Sequence, residues 1–124
     1  MIRIRIEQNR TDADCAIACI AMFCMVDYET ARDLLPWDAE INGATTSAIQ
    51  LAAKRLGTNL VFSRSFDDLE DEQGIVCLRM RDGDAHCAVL VCGMLIDTNG
   101  TIWRLDDYLR IYRAQLLSFL KEEQ

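Results

Sequence analysis

The feature that most constrains the fold of this chain is an apolar run, residues 15–25, without a polar face. It follows a polar segment in which Asp12 or Asp14 can cap a helix. A helix that is apolar around its whole circumference must be covered on all sides, so it belongs in the centre of a fold. The charge-free stretch, residues 15–26, is too short to cross a bilayer, which takes about 20 residues. We therefore predict a buried central helix.

The overall composition is that of one globular domain covering residues 1–124, with 51% hydrophobic and 27% charged residues. The 13 Lys and Arg are outnumbered by 20 Asp and Glu, which leaves a net charge of −7. Neither the basic footprint of a nucleic-acid binder nor a polybasic membrane anchor is present. The first residues alternate Ile and Arg, which predicts a short strand rather than a signal peptide. We expect a cytoplasmic protein that binds neither nucleic acid nor membrane.

The order of the predicted elements indicates an α+β fold, with N-terminal helices and the buried central helix packed on a C-terminal antiparallel sheet. Two helices follow the central one, residues 28–35 with Asp27 as cap, and a segment that Thr45 or Thr46 caps and Gly57 ends. Strands are predicted at residues 59–62, 75–80, 86–91, 94–97 and 101–103. Apolar residues at helical spacing predict a C-terminal helix over residues 106–121. This helix could pack on its own domain or on a partner, including a second copy of the chain.

The six cysteines do not form a pattern typical of disulfides or of a metal site. Three of them lie in the central helix, where pairing fits disulfide geometry poorly. The sequence has no Cys-x2-Cys pair and a single His, which argues against zinc. We therefore expect most of the thiols to be small buried hydrophobic groups, and we expect neither a metal nor an organic cofactor.

Two residues could form a nucleophile and its base. Cys15 lies where the polar segment meets the apolar helix, and the positive end of a helix dipole favours the nucleophilic thiolate. His86 is the only histidine and opens an apolar strand, so a general base for Cys15 would have to be this residue. The structural alternatives are a small residue in a first helical turn and a hydrogen-bonded histidine at a strand end.

A third residue could orient the imidazole of His86. If residues 92 and 93 form a two-residue turn, Val91 pairs with Met94, and Asp97 lies diagonal to His86 on the same face of the sheet. The same register places Asn99 directly opposite His86, so Asn99 is the rival orienting residue. The alternative is that both belong to an ordinary turn.

Gln8 is a further candidate, because a side-chain amide near the nucleophile could donate to a developing oxyanion together with the backbone N–H of Cys15. Taken alone, a glutamine in a polar loop is more often solvated.

In order and spacing, these residues resemble the bacteriocin-processing cysteine peptidases that remove double-glycine leaders and have a papain-like fold. Residues 8–22 resemble the start of that family, which has a Gln, then Asp-Cys-Gly, then a helix of small residues. Residues 42–57 resemble its Gly-Thr-Thr segment and following helix, and residues 86–97 resemble its His strand and the Asp at the end of the next strand. Ala16 stands where the family has Gly, and Thr98 where it usually has Pro.

The resemblance implies a stand-alone cysteine peptidase acting on a peptide or protein substrate. Cys15 would be the nucleophile, His86 the base, Asp97 the orienting acid and Gln8 the oxyanion donor. The same thioester chemistry also serves deamidases, transglutaminases and enzymes that remove a conjugated modifier, and the acceptor decides between them. A non-catalytic peptide-binding module with a papain-like fold is the third hypothesis.

Overall fold

The structure is a computed structural model that describes residues 14–39 and 43–123. The helices defined within these residues are α1 (Cys15–Phe23), α2 (Tyr28–Leu34), α3 (Thr46–Arg55) and α4 (Leu105–Tyr112). The first three begin where the sequence predicts. Asp27 caps α2 by accepting the Thr30 N–H at 2.8 Å, and Thr45 caps α3. Gly57 follows α3 at a φ of +87°, a backbone conformation that suits glycine at a helix end.

The strands form one antiparallel sheet in the order β1-β6-β2-β3-β4-β5. Their bounds are β1 Leu60–Ser63, β2 Gln73–Arg79, β3 Ala85–Val91, β4 Met94–Ile96, β5 Ile102–Arg104 and β6 Gln115–Glu122. The hairpin between β3 and β4 has the predicted register, with Val91 opposite Met94. Its turn residues, Cys92 and Gly93, both have positive φ, at 48° and 83°, as a tight two-residue hairpin requires.

The predicted C-terminal helix is wrong beyond residue 112. Arg113 adopts the left-handed conformation, with φ 51° and ψ 42°, and ends α4. The chain then enters β6, which runs between β1 and β2 in the middle of the sheet. Ser118, Phe119 and Leu120 are consecutive buried residues of this strand, as expected where a sheet is covered on both faces. Half of the segment predicted as a C-terminal helix is therefore a central strand. The long helix face that could have packed on a partner does not form.

Two apolar clusters cover opposite faces of the sheet. The first contains α1, α2 and α3 residues packed on Ile75, Val89 and Leu120. The second joins Leu90 and Phe119 to residues of α4 and the loop before β2. Every residue of α1 except Cys15 is buried, so the prediction of a buried central helix is confirmed, and the α+β class with it.

Several expectations lie outside the described residues: the strand at residues 2–6, Gln8, and the capping role of Asp12. Asp14 occupies the N-cap position of α1, but its side chain makes no capping hydrogen bond. Its carboxylate instead accepts the Tyr28 hydroxyl at 2.6 Å in the core. In residues 14–39 and 43–123, no helix has the length and apolar character needed to cross a membrane.

Candidate active site

Helix α1 and strand β3 bring Cys15 and His86 together. Cys15 is the first residue of α1, which packs on β3 and on α2, and His86 is the second residue of β3. The Cys15 thiol and the His86 imidazole are in hydrogen-bonding contact. The first N–H groups of a helix have no partner within it, so the thiol lies beside the positive end of α1. The structure therefore unites the two residues that the sequence proposes as nucleophile and base.

Asp97, which directly follows β4, is the third member of the contact series with Cys15 and His86. His86 Nε2 lies 2.7 Å from Asp97 Oδ1, which leaves Nδ1 as the ring nitrogen available to Cys15. Asn99, the rival orienting residue, makes its side-chain hydrogen bonds with Thr101 instead of with His86. Its Oδ1 accepts the backbone N–H of Thr101 at 3.0 Å and the Thr101 hydroxyl at 2.5 Å. The contact with His86 therefore belongs to Asp97.

Two further donors hold the Asp97 carboxylate. The Thr98 N–H donates to Oδ1 at 2.8 Å, and the Tyr108 hydroxyl donates to Oδ2 at 3.0 Å. Tyr108 lies on α4, is only 1% exposed, and packs against Trp103 and Tyr112. Tyr108 falls within the predicted C-terminal helix, and its link to Asp97 was not predicted. Only the packing of α4 on the sheet provides that link, so no local pattern could have indicated it.

The contacts shift the pKa values of His86 and Asp97 in opposite directions. Burial disfavours the imidazolium, but the hydrogen bonds to Asp97 and Cys15 and the negative charge of Asp97 outweigh it and raise the pKa of His86 to about 9. Burial also disfavours the Asp97 carboxylate. The hydrogen bond and positive charge of His86, with the donors Thr98 and Tyr108, nevertheless lower the pKa of Asp97. The two groups therefore stabilise each other as an ion pair.

The Cys15 thiol differs from the sequence expectation of a favoured thiolate. Its hydrogen bond with Cys87 and its burial raise the pKa of Cys15, and they outweigh the lowering effect of His86. A buried anion is costly unless it is paired. The thiol therefore keeps its proton at neutral pH.

Cys15 and His86 open into a groove of about 720 Å³ between α1, α3 and the hairpin that joins β2 to β3. Its lining is apolar at Ile49, Met80 and Leu117, and acidic at Asp82 and Asp84. Leu117 is placed there by an irregularity in pairing, where the register between β2 and β6 shifts by one residue. The groove therefore makes the Cys15 thiol accessible from outside. No pattern in the sequence indicates this surface.

The thiols of Cys15, Cys87 and Cys19 form a continuous series of contacts beneath the groove, with Cys87 in the middle. Cys77 lies opposite Cys87 on the neighbouring strand. All six cysteines carry free thiols. Among the described residues, no group of three or more His, Cys, Asp and Glu side chains is arranged to hold a metal ion.

Comparison with protein families and curated proteins identified no relative of this chain. No protein-family model matches the sequence, and no curated protein matches it significantly.

Proposed function

We propose that the chain is a papain-like cysteine peptidase, related to the peptidases that remove double-glycine leaders. The observation that carries the proposal is the contact series from Cys15 through His86 to Asp97, with the thiol opening into a groove. A nucleophile, a base and an orienting acid in mutual contact are the arrangement that thioester chemistry needs. A helix that carries the cysteine and packs on an antiparallel sheet that carries the histidine supports a papain-like fold.

In this mechanism, His86 takes the proton of the Cys15 thiol as the sulfur attacks a peptide carbonyl. The backbone N–H groups at the start of α1 stabilise the oxyanion, and we assign Gln8 to the same task. The imidazolium then protonates the leaving amine, and a thioester remains on Cys15. Water, deprotonated by His86, hydrolyses the thioester and restores the thiol. No metal or organic cofactor enters any of these steps.

Asp97 has two tasks in this cycle. Its hydrogen bond with Nε2 directs Nδ1 of His86 toward the thiol, and its charge stabilises the imidazolium that forms in each half-reaction. Because the pKa of His86 is about 9, the imidazole carries a proton over much of the neutral range. The base must lose this proton before it can accept one from Cys15.

The groove supports a peptide or protein segment as substrate. Its acidic rim at Asp82 and Asp84 favours neutral or basic segments over acidic ones. Its apolar part accepts uncharged side chains next to the reacting bond. We propose that this reaction takes place in the cytoplasm, where free thiols persist.

The decisive experiment compares the wild type with Cys15→Ala and His86→Ala, using an electrophilic peptide probe and a peptide library. We expect a covalent adduct at Cys15 and cleavage fragments from the wild type, and neither from the two variants. Cys15→Ala should unfold within roughly 3–6 °C of the wild type, because a small loss of packing costs on the order of 1 kcal/mol. His86→Ala also loses the ion pair with Asp97, so it is assayed at a temperature at which it is shown to be folded. Cys92→Ala, at an exposed cysteine outside the groove, serves as the matched control and should keep full activity.

The outcomes separate the three hypotheses. A mass gain of about 1 Da on glutamine-containing peptides without cleavage identifies a deamidase, since the thioester is then formed from a side-chain amide. Peptide binding that persists in Cys15→Ala, without turnover by any variant, identifies a binding module. An adduct that forms equally well in His86→Ala contradicts both enzymatic hypotheses, because the chain has no second histidine.

A further inference from the structure

The buried thiols beside the groove have no task in peptide hydrolysis. Cys87 is only 5% exposed, its thiol contacts that of Cys15, and both residues line the groove. We propose that Cys15 is a site of reversible oxidation by hydroperoxides, with Cys87 as the resolving thiol that converts the oxidised sulfur to a disulfide. This proposal does not depend on the peptidase function.

The geometry selects Cys87 among the neighbouring thiols. Cys19 lies one helical turn after Cys15 on α1, and a disulfide within one helix fits the required geometry poorly. Cys19 is also fully buried and outside the groove lining. Cys77 lines the groove, but its hydrogen-bond contact is with Ser118. Cys87 alone of these three combines contact with the Cys15 thiol and a position on the groove.

The chemistry takes two steps. The Cys15 sulfur, after giving its proton to His86, attacks the outer oxygen of the peroxide. An S–O bond forms, the O–O bond breaks, and the leaving alkoxide takes the proton from His86 as an alcohol, or as water from hydrogen peroxide. The Cys87 sulfur then attacks the Cys15 sulfur, an S–S bond forms, and the S–O oxygen leaves with the Cys87 proton as water. Two thiols are oxidised by two electrons, and one peroxide is reduced.

The disulfide would protect the nucleophile in a recoverable form. A sulfenic acid without a resolving thiol proceeds to sulfinic acid, which thiol reductants do not reverse. With Cys87 in contact, the first oxidation product is captured before a second peroxide arrives. A thiol reductant then restores Cys15.

The test treats the full chain with hydrogen peroxide and maps its cysteines by mass spectrometry. In the wild type, we expect an intact mass lower by about 2 Da and a cross-linked peptide pair containing Cys15 and Cys87. Iodoacetamide labelling of Cys15 should fall at least about ten-fold and return after dithiothreitol. In Cys87→Ala, Cys15 should gain about 32 Da as sulfinic acid, and labelling should not return. Cys92→Ala is the matched control and should behave as the wild type.

The cross-link map of the wild type tests the proposal even if Cys87→Ala fails to fold. A disulfide between Cys77 and Cys87, a disulfide from Cys15 to any other cysteine, or direct conversion of Cys15 to sulfinic acid would overturn it. Dithiothreitol recovery in a folded Cys87→Ala variant would do the same. Mapping needs no substrate, so a wild type that forms the disulfide but cleaves no peptide would retain this proposal and contradict only the peptidase function.

Discussion

At the scale of single residues, Asp97 connects the candidate site to the rest of the fold. It is 5% exposed, yet it accepts hydrogen bonds from an imidazole, a backbone N–H and a phenol. A buried carboxylate is tolerated only where such partners replace water. These contacts fix the position of the carboxylate, and through it the plane of the His86 ring.

We expect Asp97→Ala to lower kcat/KM much more than Asn99→Ala does. Loss of Asp97 removes the group that orients His86 and stabilises its charge, which should cost at least about 100-fold. Asn99→Ala removes only the contacts to Thr101 within an exposed turn, so activity should stay within about two-fold of the wild type. Steady-state hydrolysis of one peptide by both variants makes the comparison. Equal activity of Asp97→Ala and the wild type would remove Asp97 from the mechanism.

Tyr108 is a positioning residue that acts through Asp97. We expect Tyr108→Phe to lower kcat by roughly ten-fold with little change in KM, because a lost hydrogen bond to a charged group costs about 1.5–3 kcal/mol. Without this donor, the Asp97 carboxylate should interact more strongly with the imidazolium and raise the pKa of His86, which moves the acid limb of the pH–activity profile upward. Tyr112→Phe, in the same aromatic cluster, is the control and should leave profile and kcat unchanged. If the pH–activity profile of Tyr108→Phe matched that of the wild type, Tyr108 would contribute only packing and would not position Asp97.

The sequence predicted the contacts of His86 and Asp97 for a physical reason that does not extend to Tyr108. The two-residue turn at Cys92 and Gly93 fixes the register of the hairpin, which brings both Asp97 and Asn99 within reach of the histidine, and the family resemblance favoured Asp97. Tyr108 reaches the same carboxylate from a separate helix across the sheet. That contact depends on how α4 packs, which no short-range pattern encodes. The thiol contacts of Cys15 have the same origin, and they reverse its expected pKa shift.

At the scale of elements, the C-terminal segment shows why a helical spacing can mislead. Leu116 and Leu120 are four residues apart, which predicts that they share one face of a helix. In β6, the irregularity at Leu117 places them on opposite faces of the sheet, in the two different apolar clusters. The left-handed conformation at Arg113 ends the helix, and a residue other than glycine there gives no warning in the sequence. Gly74 on β2 is the residue whose type depends most directly on the presence of β6. A Cβ at this position would collide with the Leu120 carbonyl of that strand.

Ser118 distinguishes a strand from a helix in this segment. In β6 it is 5% exposed and contacts Cys77, so Ser118→Asp should lower the free energy of unfolding by more than about 2 kcal/mol by burying a carboxylate. In a helix over residues 106–121, position 118 would lie opposite the apolar face, and the same change would cost less than about 0.5 kcal/mol. Urea unfolding measures the difference. Gln115→Asp, at an exposed position of the same strand, is the control and should be nearly neutral.

At the scale of the whole molecule, the candidate site joins the two faces of the sheet. Cys15 comes from the helices on one face, and Tyr108 comes from α4 on the other. His86 contacts Cys15 directly and is linked to Tyr108 through Asp97. Space for these contacts exists because β3 continues past the end of β4, where no other described strand pairs with that side of it. The proposed catalytic arrangement is therefore coupled to folding, since its contacts form only when both layers are in place.

This coupling predicts how stability depends on pH. The folded-state pKa of His86 is about 9 against 6.5 for the free side chain, so its stabilising contribution is complete below pH 6.5 and is lost as the pH rises through about 9. Asp97, whose pKa is lowered from 3.8, contributes above that pH and loses its contribution as the pH falls through its folded-state pKa. The pair therefore stabilises the fold most between pH 3.8 and 6.5.

Urea unfolding of the reduced protein, from about pH 6 to about pH 9, should show a loss of stability on the order of 2–3 kcal/mol in the wild type. His86→Ala should lose this component of the slope, because the group that binds the extra proton in the folded state is gone. The buried thiols, whose pKa values are also raised, add a further loss as the pH approaches 9, the ordinary pKa of a thiol. They are present in both proteins, so the difference between the two slopes isolates His86. A slope that is equally steep in His86→Ala would show that the ion pair with Asp97 does not form in solution.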